Sequence, residues 1–503
     1  MDTMNKILLF LFSAALLVGF SSCDPDEDFI TDANAKLEFS LDTLRFDTVF
    51  TELGSATRSF KVYNRNSRPI RVSRIFFLNS SKIKFRMNAD GYPGNDIENV
   101  EIGANDSIYV FAEVTIDPNQ PLSVSPFVIE DKIVFETNGN LQEVKVEAWG
   151  QNANYFPSRF NKGVPVVLTC RNNEISWNDP KPYVIYGEVF IDSCTLNIPA
   201  GTRIYVHGGI ARNEFFGVFN DGILYTLTNG RIRVLGTKDK PVIIQGDRLE
   251  EPFLDDPGQW TGIILGKGSK GNVIEYATIR NSNFGVYADS AASLEIRNTQ
   301  IYNTSSSGLI GVRSNITAEN CLIYNNQANS LLLAHGGDYL FTYCTIASYG
   351  VNAAAFSASN FLCYDDPLIC KQRSEYRLNA RFRNCVLFGS LKDQLRLNDI
   401  SGGQPAWMFN VKLENCVVKV EELLKEQNNR YARFFEDFCT DCINGKNTDK
   451  LFEDPNKDLY QLDSLSIALG KALPILSPRK IDIDLLGNPR DAQKPDIGCF
   501  EKL

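Results

Sequence analysis

Histidine occurs only twice in this 503-residue chain, and methionine and tryptophan four times each. Both histidines, His207 and His335, precede Gly-Gly. Such a pair can border an oxyanion hole, but no Gly-x-Ser-x-Gly elbow exists, so serine-hydrolase chemistry lacks its nucleophile and both are expected at structural corners. Basic runs are absent and the net charge is −10, which excludes a nucleic-acid backbone as the main partner. Only one Cys-x-x-Cys occurs, Cys439 to Cys442, so no tetrahedral metal set is completed. The segment 36–151 holds no cysteine, so it has no internal disulfide. The apolar run from Ile7 to Phe20 spans 14 residues, too short to cross a bilayer as a helix.

What is present points to β-structure. Hydrophobic residues make up 43% and charged residues 22%, so a sizeable core is feasible. The 33 Phe and 19 Tyr favour strands. A short pattern of β-branched and aromatic residues returns along 272–418. Aligning Ala277, Thr299, Cys321 and Cys344 gives steps of 22, 22 and 23 residues, and Cys385 and Cys416 continue the column after 41 and 31. A period near 22 leaves no room for a helix between strands and fits one coil of a parallel β-helix. The expected coil has a first strand (274–280), a turn, and a second strand opening on a small residue.

Stacked coils place equivalent residues about 4.8 Å apart. Asn281, Asn303 and Asn325 recur at 22-residue steps and are expected to form a ladder in which each amide bonds to the one above. Cys321, Cys344, Cys385 and Cys416 share the strand column. They are expected as buried free thiols, since rung spacing exceeds the Cβ separation a disulfide prefers. Gly266 to Gly271 matches Gly-x-Gly-x-x-Gly, but strand follows it, so it is a turn between coils and not a phosphate cradle.

Between 36 and 155 the pattern changes to simple alternation. Phe60 and Val62 alternate with Lys61 and Tyr63, and Val144, Val146 and Ala148 alternate with charged neighbours, as half-buried antiparallel strands require. Seven or so short strands there predict a β-sandwich. The expected architecture is therefore all-β, a sandwich followed by a parallel β-helix over 166–503, with a polar hinge at 152–162. Three excursions interrupt the coils, near 246–257, 357–379 and 420–442. The last is expected to carry a helix with Leu424, Tyr431, Phe435 and Phe438 on one face, packed as a lid on the coil surface.

Several motifs add resemblances. Lys6 and the apolar run lead to Phe20-Ser21-Ser22-Cys23, which resembles a bacterial lipoprotein signal. That implies a signal peptide over 1–22 and a lipid on Cys23. An acidic tether follows over 23–35, and its cluster Asp24-Pro25-Asp26-Glu27-Asp28 is similar to the export tag of surface lipoproteins of the Bacteroides group. The expected address is the bacterial outer membrane, anchored by lipid and facing outwards; a cleavable signal peptide without lipid is the alternative. The segment 36–155 resembles the Ig-like modules set between anchor and functional domain in bacterial surface proteins. Ile-Pro-Ala-Gly-Thr at 198–202, Gly-Thr-Lys-Asp-Lys-Pro-Val at 236–242 and Gly-Gln-Trp-x-Gly-Ile at 258–263 look like coils of right-handed parallel β-helix, pectate-lyase-like lipoproteins of that group. The stretch from Leu485 to Glu501 is similar to their closing coil. The family hosts lyases, hydrolases, epimerases and plain scaffolds, so the resemblance speaks for fold more than for chemistry.

Function narrows to a polysaccharide bound on the long face of the β-helix, a strip of roughly 50 Å for about ten coils. Catalysis is not identified by motif. The candidate acids are Asp255 and Asp256 in the first excursion and Asp365 and Asp366 in the second, since carbohydrate chemistry uses paired carboxylates. A lyase or hydrolase, and a non-enzymatic adhesin, stay as alternatives. No cofactor is expected, and calcium has no supporting ligand motif. With Cys23 set aside for lipid, eleven cysteines remain. Cys363 with Cys370, and Cys439 with Cys442, are the disulfide candidates.

Overall fold

The computed structural model describes residues 29–50, 55, 57–79, 84–115, 127–161, 163–170, 172–213, 217–365, 370–425, 431–477 and 479–502. Cys23 and the signal and acidic segments up to 28 lie outside them, as does Asp366. The chain divides into two compact units between Asn152 and Ala153.

In the first unit, alternating apolar residues line two five-stranded sheets. Phe46, Phe60, Phe77, Phe85 and Phe135 meet in their shared core, with Phe77 and Phe85 stacked at 5.3 Å. One sheet runs antiparallel from Glu38–Phe39 through Arg58–Tyr63 and Ser107–Thr115. In the other, Thr43–Phe50 pairs in parallel with Asn140–Gln151. The turn after Tyr63 is organised by Asn64, fully buried, whose amide donates to the carbonyls of Arg68, Ile102 and Gly103. The stretch expected as tether is partly core. Ala35 is buried and Ile30 packs against the same core; just past the tether Leu37 is buried too, with the Gln142 side chain bonding both its N–H and its C=O. Burying those apolar side chains against the sandwich outweighs leaving them solvated.

The second unit is a parallel β-helix with three strands per coil, not two. Its sheets hold 11, 9 and 10 strands among the described residues. The segment expected as one strand, 274–280, breaks at Tyr276, whose φ is +46°. Asn272–Glu275 joins the 10-strand sheet and Ala277–Arg280 the 11-strand sheet. The same left-handed corner recurs at Asn298, Asn320, Tyr343, Asn384, Asn415 and Asp441. Asparagine tolerates that conformation at low cost, which explains its frequency in the column. The residue after each corner points inward, so Ala277, Thr299, Cys321, Cys344, Cys385 and Cys416 form one interior file, all at or below 3% exposure.

Three further files fill the core. Ile279, Ile301, Ile323, Ile346 and Leu387 face inward from the 11-strand sheet. Val286, Leu309, Leu331, Phe356 and Leu395 do so from the 9-strand sheet, and Ile296, Ala318, Phe341, Phe382 and Leu413 from the third. Each large aliphatic or aromatic residue so buried contributes about 1.5–3 kcal/mol.

Both ends of the β-helix differ from expectation. It begins earlier, because Asn154–Phe156, placed in the polar hinge, already pairs in parallel with Tyr183–Tyr186. Parallel rungs end at Ile443–Asn444. Residues 446–502 add no coil. They lie along the outer face of the 11-strand sheet, where Leu451, Phe452, Tyr460, Leu462, Ile497 and Phe500 cover Tyr324, Ala347, Val386, Phe388 and Val417. Among its described residues the excursion at 420–442 has a 3-10 turn, Leu423–Lys425, and one α-helix of four residues, Phe434–Asp437. Its buried apolar side chains among the described residues are Val420, Leu423, Tyr431 and Phe434, which join the same core as Leu397 and Leu413. It plugs the end of the core instead of lying on the surface: Phe434 is fully buried there, which removes its whole ring from water.

Candidate functional site

The Asn281, Asn303, Asn325 column sits where strands of the 11-strand sheet end, and all three take left-handed φ, +64°, +52° and +50°. The expected amide-to-amide ladder does not form. Each amide reaches outward to a segment laid across the coil. Asn281 Nδ2 donates to the carbonyls of Leu254 and Asp256, each at 3.0 Å. Asn303 Nδ2 approaches Asp255 Oδ1 at 3.4 Å, and Asn325 Nδ2 donates to Asp458 Oδ1 at 2.6 Å. Adjacent rungs, about 4.8 Å apart, thus hold one carboxyl group each. A true asparagine contact exists one corner away, where Asn320 Nδ2 donates to Asn298 Oδ1 at 3.1 Å.

The loop that brings Asp255 is fixed from several sides. Gln259 Nε2 donates to the carbonyls of Phe253 and Asp256, and buried Trp260 donates to Arg280 O at 2.9 Å. Arg280 lies between the loop and the sheet. Its Nε donates to Gln245 at 2.9 Å, and its Nη1 is 3.6 Å from Asp255 Oδ1 and 3.5 Å from the Tyr302 hydroxyl. Tyr302 stacks on Tyr324 at 4.8 Å, and Tyr324 packs on Tyr460 at 4.7 Å. Burial raises the Tyr302 phenol above its ordinary range, against the pull of Arg280. Asp458 has its carboxyl raised by partial burial, then by the Asp255 charge, with the Asn325 amide opposing. Asp255 keeps its side chain 75% exposed. Two acids in unlike surroundings, one against a guanidinium and one against an aromatic stack, are suited to grip a sugar ring and to divide acid and base roles.

Of the other candidate acids, Asp256 contributes its backbone carbonyl. Asp365 Oδ2 accepts from the N–H groups of Lys371 and Gln372 and so closes a hairpin turn. Cys363 and Cys370 are disulfide-bonded within that hairpin, with Cα atoms 5.2 Å apart. Cys439 and Cys442 are free thiols, contrary to expectation. Cys442 follows the left-handed Asp441 and so falls in the inward thiol column, where its Sγ contacts Leu413 O. A second bridge, Cys170 to Cys194, joins neighbouring coils. It went unforeseen because the less regular early coils show no common column.

Two polar pairs were also missed. His207 Nδ1 lies 2.6 Å from Asp247 Oδ2, and the Tyr186 ring is 4.6 Å from the imidazole. The signal was positional, since His207 ends one strand and Asp247 directly follows the neighbouring strand, Val242–Gly246, of the same sheet. Glu188, 3% exposed, lies near the buried Asp221, and burial, then that charge, push its carboxyl up to about 7. Its mark in the sequence was glycine beside acid, Gly187-Glu188 and Asp221-Gly222. Among the described residues no cluster of three or more His, Cys, Asp or Glu could hold a metal ion.

The family description "Right handed beta helix region" matches residues 259–363, which gives the coil its hand. No curated protein matches the chain. Among solved structures, the chain is similar to XylC in complex with xylose, at 10% identity over 92% of this chain and 88% of that one, TM-score 0.31. It is also similar to the catalytic unit of a GH87 alpha-1,3-glucanase from Streptomyces thermodiastaticus, at 10% identity over 71% and 70%, TM-score 0.21. With the Pseudomonas fluorescens alkylpurine DNA glycosylase AlkC it shares 11% identity over 23% of its own length and 31% of that chain, TM-score 0.15. The chain therefore spans under a third of that glycosylase. At such identities and TM-scores the assignment of chemistry rests on this chain's own side chains.

Proposed function

We propose that this protein is a lipid-anchored surface protein of a bacterial outer membrane that binds a polysaccharide at the corner of its 11-strand sheet, beside Asp255 and Asp458. The observation that carries the binding is the pair Asp255 and Asp458, held on adjacent rungs by Asn303 and Asn325 beside Arg280 and Tyr302. Carboxylates and a guanidinium beside an aromatic ring match the hydroxyls and apolar faces of a sugar. The lipid anchor is supported by the Cys23 signal, and the first unit serves as an Ig-like spacer. A glycan array of the purified protein tests the binding. Asp458→Asn and Arg280→Gln should each weaken the retained glycan about tenfold, a loss of about 1.4 kcal/mol. Retention unchanged in both variants would remove the site from the account. Labelled palmitate carried by wild type and lost in Cys23→Ser tests the anchor.

One observation favours hydrolysis as a second reading. Burial raises the Asp458 carboxyl while Asp255 faces Arg280, so the two acids differ in the sense that the acid and base roles of glycoside cleavage require. Reducing-sugar release from the bound glycan, abolished in Asp255→Asn and Asp458→Asn, would establish it; binding without release in wild type would reject it.

A further inference from the structure

Among the described residues Lys419 is the one lysine that the fold buries, at 4% exposure. It follows the rung strand Val417–Val418, and its amine turns back onto the preceding rung, where it donates to the carbonyls of Gly389 at 2.8 Å and Ser390 at 3.3 Å. Its third contact is the Asn447 carboxamide, with Oδ1 against Nζ. The Phe388 ring closes the site from 5.4 Å away. Among the described residues no carboxylate pairs with this amine, so an ammonium there would be costly to keep. Burial accordingly draws it below the ordinary lysine range, with Glu421 and Asp393 opposing. A neutral amine has two N–H donors and one lone pair. The two carbonyls take the donors, which leaves the lone pair on the side of the carboxamide.

Asn447 is presented by a fixed turn. Lys446 N–H donates to Asp449 Oδ2 at 2.7 Å, and Asp449 N–H returns to Lys446 O at 3.0 Å. Just before the turn, the Asn444 side chain bonds the N–H and the C=O of Val420, at 3.1 and 2.9 Å, and Gly445 N–H donates to Val418 O at 2.8 Å. The chain beside each of the two residues is thus locked to the other, so bringing amine and carboxamide together costs no further ordering.

From this arrangement we infer that Lys419 and Asn447 are a cross-linking site, joined in the folded protein by an amide bond between their side chains. Nζ attacks Cγ, the Nζ–Cγ bond forms as the Cγ–Nδ2 bond breaks, and one amine proton passes to Nδ2, so that ammonia leaves. Neither oxidant nor cofactor is consumed. Asn447 is exposed, so the ammonia escapes to solvent and the step does not reverse. Asp393, whose charge reaches the amine, is held by the N–H groups of Glu421 and Leu423 and is placed to relay the proton. The bond spans 28 residues of sequence, encloses the plug at 420–442, and staples the start of the covering segment 446–502 to the coil. Closing such a loop restricts the unfolded chain.

Trypsin digestion of the full protein after folding, reduction and alkylation, read by mass spectrometry, tests the bond. Trypsin does not cut after an acylated lysine. Wild type should therefore yield residues 413–425 as one peptide joined to 447–450, lighter by one ammonia than the two together. Asn447→Ala, at an exposed position, should fold and yield 413–419 and 420–425 as separate linear peptides. Cleavage after Lys419 in wild type, with 447–450 recovered unlinked, would overturn the inference. So would an ammonia loss confined to linear 447–450, which is ring closure of Asn447 on its own backbone, or a branched peptide at Lys419 that persists in Asn447→Ala.

Discussion

Asparagine at 281, 303 and 325 shows how much a single residue type reveals. The 22-residue step and the residue's tolerance of left-handed φ were both legible, and together they located the corner of each coil. What each amide bonds was not, because the partner is set by chain folding back from elsewhere: Asp458 lies 133 residues beyond Asn325. Glu188 illustrates the same limit with a consequence for stability. Its neighbours in sequence are glycine and valine, yet the fold buries it beside Asp221, with Oε2 lacking a partner among the described residues. A carboxyl raised from 4.5 to about 7 is favoured protonated in the folded state. The stability this contributes is complete below pH 4.5 and lost as pH rises through 7. Glu188→Gln should therefore match wild type near pH 4 and exceed it at pH 8 by on the order of 3 kcal/mol. Urea melts at the two pH values measure this, and equal stability at pH 8 would show that the fold does not raise the carboxyl.

Along a strand, the repeating element is a corner followed by an inward residue, and the cysteine column is its clearest instance. Cys344 N–H points to Cys385 Sγ at 3.4 Å, and Cys385 N–H to Cys416 Sγ at 3.4 Å, so the Cys385 and Cys416 thiols each sit over the preceding rung's backbone. The spacing of Cys321, Cys344, Cys385 and Cys416 was legible from period alone. The division of each coil into three strands was not, since a tyrosine at 276 carries no mark of a corner until the asparagines at equivalent positions are aligned with it. Burial pushes the Cys321, Cys385 and Cys416 thiols up and Cys499 to about 12, which disfavours the reactive thiolate. Cys442 stands at the half-exposed end, where hydrogen bonds with Cys416 and Cys439 draw it down. Iodoacetamide at pH 8 should label Cys442 first and Cys439 next. Cys321, Cys344, Cys385, Cys416 and Cys499 should react only after unfolding. Peptide mass spectrometry reads the order, and early labelling of Cys385 would mean that the core opens locally.

At the scale of the molecule, a coil stack resembles a one-dimensional chain in which each rung contacts its neighbours, so stability is close to a sum of local terms. Residues 446–502 change that, because they bind several rungs at once. Leu473 O accepts from Tyr343 Oη and Asn384 Nδ2, Cys499 N–H donates to Thr345 Oγ1, and Arg490 Nη2 donates to Asn320 Oδ1 at 2.9 Å. Arg490 is the centre of this cover. Its side chain is 2% exposed, it pairs with Glu501 at 3.3 Å, and it lies over the Tyr343 ring at 3.9 Å. Removing one member of a buried pair leaves the other charge uncompensated, a cost of about 3–5 kcal/mol. Arg490→Met should therefore release the cover before the coil unfolds. Hydrogen exchange is expected to rise through 446–502 and at Asn320, Tyr343 and Asn384, while the early rungs at Leu196 and Ile232 keep wild-type protection. Because the cover also carries Asp458, the same variant should weaken the polysaccharide site. Uniform loss of protection along the whole coil would instead show that rungs and cover unfold as one cooperative body.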